Sequence, residues 1–209
     1  MTGLIRLKAF FVLAAGLALS ALLAACGSGS TFEPLVPTRV ISFGDGLSDI
    51  NPTARFTVND GTVNIWVKRV ATNYGKTITS SISPGGLGFA RGGARVNTPG
   101  TNPISDQIGA FLVANTIGAS DLIIVDAGVA ELAALAAANS NDVALAAAAG
   151  LAGRALATEV LRLTAAGGKH VVIANAPDLG KSPLATTAPA RVAGLTTATR
   201  AFNDGLKTP

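Results

Sequence analysis

Three short apolar runs limit what this chain can fold into. Residues 40–43, 122–125 and 170–174 are rich in Val and Ile. Each gives way to turn residues: Gly44, then Asp126-Ala127-Gly128, then Pro177-Asp178. Runs of this length and composition read as buried strands rather than helices. The stretches between them carry helical spacing. Trp66, Val70 and Tyr74, with Val67 and Ala71 beside them, recur at one turn and stop at Gly75, and the aromatic stripe is expected in the core. Asn102 is expected to cap a helix that opens on Pro103, packs Ile104, Ile108, Phe111 and Leu112 inward, and ends at Gly118. Alanines dominate residues 133–166, a strong helix former throughout. Val143, Ala147, Leu151, Leu156, Val160 and Leu163 are expected on the inward face, Arg154, Thr158, Glu159 and Arg162 outside, and Gly167-Gly168 as the stop. A last helix is expected over 191–206. Strand alternating with helix predicts an α/β protein, a three-layer αβα sandwich around a parallel sheet.

In such sheets, ligands sit at the carboxyl ends of the strands. The turn Gly44-Asp45-Gly46-Leu47-Ser48 occupies that place. Gly44-x-Gly46 could open a dinucleotide fingerprint, but Asp49 stands where the third glycine belongs, and Asp45 would face a pyrophosphate with like charge.

The stretch Phe43-Gly-Asp-Gly-Leu-Ser-Asp49 resembles block I of the GDSL (SGNH) ester hydrolases, F-G-D-S-L-S-D, with Gly46 in place of the nucleophilic serine. Phe89-Ala-Arg-Gly-Gly-Ala94 is similar to block II, which implies Gly93, or Gly92 beside it, as a backbone donor to the oxyanion. Residues 127–131 fall where block III (G-x-N-D) belongs, with Ala130 for the oxyanion-hole Asn and Glu131 for Asp. Alanine's side chain donates no hydrogen bond, and loss of one such donor costs about 10²–10³ in rate. Residues 175–180 and 202–206 resemble segments of the family's lipoprotein and autotransporter members. The resemblance spans residues 38–206. It implies a flavodoxin-like SGNH hydrolase sheet and acyl-ester hydrolysis as the family reaction. The family's final D-x-x-H, which supplies base and orienting acid, has no counterpart here, and the C-terminal strand beside residues 170–174 is expected to be missing.

Substitutes for the lost groups are few. Ser48 could stand in as a displaced nucleophile, against a competing role capping a helix that starts near Asp49. The single histidine, His170, begins its strand, about 15 Å from the strand ends, and reads as a surface residue. Asp45, Asp126 and Glu131 lie along one rim and could hold a hard cation such as Ca²⁺. Their spacing matches no known cation loop, so they read as separate acids or turn caps, with no metal site. The expectation is an SGNH-like protein without catalysis, keeping a crevice for an acyl-ester ligand and needing no cofactor. Its alternatives are an active esterase using Ser48 and a shortened gene product with no function of its own.

The N-terminus reads as an export signal. Arg6 and Lys8 precede an apolar stretch over 9–25, and Leu23-Ala-Ala-Cys26 resembles a bacterial lipobox. Residues 1–25 are expected to be removed and Cys26 lipidated. Residues 27–37 would then form a flexible tether, and residues 38–209 one SGNH-like domain. Two acyl chains anchor stably in a membrane. Gly27 after the cysteine implies sorting to the outer membrane. Cys26 is the only cysteine, so neither a disulfide nor a His/Cys metal cage is open to this chain. The net charge of +4 also overstates the domain: without Arg6 and Lys8, 14 of the 16 basic residues face 12 acidic ones. They are scattered without interleaved aromatics, which leaves no nucleic-acid footprint.

Overall fold

The structure is a computed structural model and describes residues 33–53 and 61–208. The signal segment, Cys26, tether residues 27–32 and the polar stretch 54–60 lie outside the described residues.

The three apolar runs form strands β1 (Val40–Gly44), β2 (Leu122–Asp126) and β3 (His170–Ala174). They pair in parallel in the order β1-β2-β3. Gly44, Asp126 and Ala174 share one register row, so the three carboxyl ends are flush. Helices α1 (Trp66–Asn73), α2 (Ile104–Ala114), α3 (Val129–Ala138), α4 (Asp142–Ala165), α5 (Pro183–Thr186) and α6 (Val192–Gly205) complete the order, with 3₁₀ turns at Leu179–Lys181 and Pro189–Arg191. This is an α/β fold with a three-stranded parallel sheet, compatible with three layers.

Strand alternation divides the burial. Ile41, Phe43, Ile123 and Val125 enter the main core with Ile104, Ile108 and Phe111 of α2, Leu145, Leu156 and Leu163 of α4, and Leu195 and Phe202 of α6. Val40, Leu122 and Ile124 point to the other face and are also buried, whereas Val172 on β3 is 51% exposed. Phe43, Phe89 and Phe111 form a ring cluster with centroids 5.4 to 5.6 Å apart. Such pairs add about 0.5–1.5 kcal/mol each beyond area burial. The cluster holds the irregular 77–97 stretch against β1 and α2.

Several expectations need correction. In α1 the buried residues are Val67 and Ala71, while Tyr74 is 41% exposed and Trp66 only half-buried, so the aromatic stripe is not core. Asn102 does not cap α2. It takes a left-handed φ of 50°, and its carbonyl accepts from Gln107 Nε2. The helix ends at Ala114, before Gly118, whose N–H turns to Asp121. The alanine-rich stretch is two helices. Asn141 breaks it by accepting from Val143 N and Ala144 N, a side-chain cap at the start of α4. The inward stripe of α4 begins Leu145-Ala149-Gly153-Leu156; Val143 and Leu151 are 80% and 63% exposed. Both stripes are apolar at helical spacing. The approach of α6 selects the one containing Gly153, where a Cβ would lie 2.1 Å from Phe202 O.

Candidate functional site

The site is assembled where β1 and β2 end. Gly44 is held on both sides by the buried side chain of Gln107: its N–H donates to Oε1 (2.9 Å) and its carbonyl accepts from Nε2 (3.0 Å). A Cβ at Gly44 would lie 2.1 Å from Asp126 O and 2.6 Å from Asp126 Oδ1. Only glycine allows that approach. Gln107 sits on the core face of α2 with Ile104, Ile108 and Phe111, and a polar residue on an apolar stripe was the signal that could have found it. Truncation in Gln107→Ala strands a buried N–H and C=O. The expected cost is about 2 kcal/mol, read from the midpoint of urea unfolding.

The turn beyond Gly44 is tight, with Ser48 N–H bonded to Asp45 O at 3.2 Å. Asp45, 1% exposed, accepts from Ala130 N (3.2 Å) and Leu47 N (3.3 Å). Its carboxylate therefore lies at the amino end of α3, where backbone N–H groups and the helix dipole favour negative charge. Burial still raises its pKa, with those N–H groups opposing. Ala130 thus serves through its backbone, not its side chain. Gly46 is a buried turn residue.

Ser48 is fully buried. Trp66 Nε1 donates to its Oγ at 2.9 Å. No helix begins near Asp49, so Ser48 caps nothing; it accepts from the half-buried indole. Asp126 is 6% exposed, and its Oδ1 has no hydrogen-bond partner among the described residues. Burial, and then the charge on Asp45, push its carboxyl up to about 7, with the nearby donor groups of Ser48, Asp45 and Trp66 opposing the rise.

The block-II-like glycines divide. Gly92 N–H is taken by Asp49 Oδ2 at 2.7 Å. Gly93, exposed and at φ +77°, donates to no acceptor among the described residues and is the free donor of the pair. Glu131 leaves the acidic rim altogether: Arg95 Nη2 donates to it at 2.5 Å and Val96 N at 2.9 Å. His170 shares its register row with Val40 and Leu122, at the opposite end of the sheet, and is half-buried rather than a surface residue. Four strand residues, about 13 Å, separate it from the site. The structure therefore brings together Asp45, Gly46, Ser48 and Asp126, joins Gly92 to them through Asp49, and leaves out Glu131 and His170. Among the described residues, no three His, Cys, Asp or Glu converge as metal ligands.

Two openings adjoin these elements. A cleft of about 20 Å³ lies among Asp45, Leu47, Asp126, Val129, Asn175 and Pro177. A broader crevice of about 400 Å³ is bordered by Ile82, Phe89, Arg91, Asp106 and Gln107. The chain matches no protein-family model and has no significant match among curated proteins. Fold and site together define a parallel α/β protein with two buried carboxyls and an indole-held buried hydroxyl at its strand ends.

Proposed function

We propose that this chain is an SGNH/GDSL-like lipoprotein that has lost ester hydrolysis and keeps the scaffold as a ligand-binding module. It would be anchored by lipid on Cys26 at the outer membrane of a bacterial envelope. The flush strand ends and the order of the three motif-like segments support the kinship. The observation that carries the loss of catalysis is Ser48: the only hydroxyl in the Gly44–Asp49 turn is fully buried and held by Trp66. Gly46 offers no hydroxyl, and His170 is beyond hydrogen-bond reach of any proton at the strand ends. The 400 Å³ crevice beside Phe89 and Arg91, in the block-II-like segment, has the size of a small acyl-ester site.

One observation favours a second reading, an esterase using Ser48. The turn that carries its hydroxyl meets Asp126, whose carboxyl burial pushes up to about 7, in the range of a general base. A fluorophosphonate probe separates the two. The silent reading expects no covalent adduct on the full chain, and aryl-ester turnover no greater than that of Ser48→Ala. An adduct mapped to Ser48, with turnover lost in Ser48→Ala, establishes the second reading instead.

A further inference from the structure

We propose that the crevice bordered by Phe89, Arg91 and Asp106 binds a small monocarboxylate with an apolar tail, anchored by the Arg91 guanidinium. The inference rests on the reading of this chain as a ligand-binding module and adds the charge of the ligand. It starts from a cation without a counter-ion. Among the described residues four arginines are half-buried; Arg39, Arg95 and Arg191 each pair with an acid, and Arg91 pairs with none. Its guanidinium is held in place by neutral oxygens alone. Nη1 donates to the carbonyls of Ala90 (2.7 Å) and Gly88 (3.4 Å), and Nη2 to Ser81 Oγ (2.8 Å). A guanidinium carries five N–H donors. The Nε–H and one N–H of Nη2 therefore meet no acceptor among the described residues. The Ser81 hydroxyl, accepting from Arg91, keeps its own proton to give. An oriented, partly desolvated guanidinium with spare donors recognises an anion, and its planar fork suits a carboxylate.

The rest of the lining sets the tail and the total charge. Phe89 and the exposed Ile82 offer an apolar wall beside Arg91. Gln107 adds no free group, since its amide is committed to Gly44 and to the Asn102 carbonyl. Asp106, exposed on the first turn of α2, borders the same crevice and forms no ion pair with Arg91. Its carboxylate repels a second negative charge on the occupant. A dicarboxylate is therefore opposed by Asp106, and a neutral ester leaves the charge of Arg91 unmatched. A monoanion with a short apolar chain satisfies both ends. The volume of about 400 Å³ suits a ligand of that size.

The test titrates the full chain with hexanoate, methyl hexanoate and adipate, followed by saturation-transfer NMR of the ligand. Hexanoate is expected to bind saturably and roughly tenfold more tightly than its methyl ester or adipate. Arg91→Gln should weaken hexanoate by a similar factor, and Arg91→Lys, which keeps the charge and loses the fork, severalfold. Asp106→Asn, at an exposed position, should raise adipate affinity severalfold and leave hexanoate nearly unchanged. That arm decides even where Arg91→Gln fails to fold. Equal binding of hexanoate and adipate, undiminished hexanoate binding in a folded Arg91→Gln, or adipate unmoved in Asp106→Asn overturns the monocarboxylate assignment. Binding of the methyl ester as tight as that of hexanoate overturns it and leaves the acyl-ester reading standing. Saturable binding of none of the three overturns both.

Discussion

Asp126→Asn is expected to make the protein more stable above pH 7. An aspartate at the end of a central strand is held near-neutral by its surroundings, with a carboxyl that titrates at about 7 rather than 3.8. Its folded form therefore keeps a proton that the unfolded chain releases above about pH 4. Stability from this group is complete below pH 4, falls as pH rises toward 7, and is absent above it. Asp45 is shifted in the same direction and steepens the fall. Asp121, whose pKa is lowered beside Arg39, acts only below about pH 4 and does not mask the effect. At 1.36 kcal/mol per unit, the contribution of Asp126 is about 4 kcal/mol at most. Asparagine carries no charge at any pH, so it removes both the cost of a buried carboxylate and its repulsion by Asp45. Urea unfolding from pH 4 to 8 should show a falling profile in the parent chain and a flatter one in Asp126→Asn. A parent profile that rises over this range sinks the account of the site.

Gly153→Leu should disrupt folding. Leucine is a far better helix residue than glycine, a gain of about 0.8 kcal/mol in the interior of α4. Packing reverses that sign. The added Cβ would lie 2.1 Å from Phe202 O and 2.9 Å from Phe202 C, backbone atoms that no rotamer change can move aside. The two helices must separate, and Phe202, which is fully buried, loses its place in the core. The expected loss is about 3 kcal/mol or more. Gly150→Ala, three residues earlier on the same helix, is the control. Its Cβ would meet nothing nearer than 3.6 Å, so the helix-propensity gain of about 0.8 kcal/mol should survive. Thermal melts of the two variants should move in opposite directions.

What was legible in the sequence follows from which signals are local. The strands at 40–44, 122–126 and 170–174 and the helix over 192–205 were readable because short β-branched runs and a 3.6-residue apolar period belong to neighbouring residues. The α/β class followed from their alternation. The turn after β1 was recognisable as the place for chemistry because strand ends in such sheets face the same rim.

The partners across the fold were not legible. Asp45, Asp126 and Glu131 look equivalent in the chain; Arg95, thirty-six residues before Glu131, takes one of them out. Ser48 reads as a cap until Trp66, eighteen residues on, is seen to bond it. The two apolar stripes of α4 could not be ranked, since both have the right period and the choice depends on where α6 closes on Gly153. Local pattern determined which segments are strands and helices and where the reactive rim had to be. Tertiary contact alone decided which hydroxyl is buried and which carboxyl lacks a donor, because burial and charge pairing depend on residues far apart in the chain.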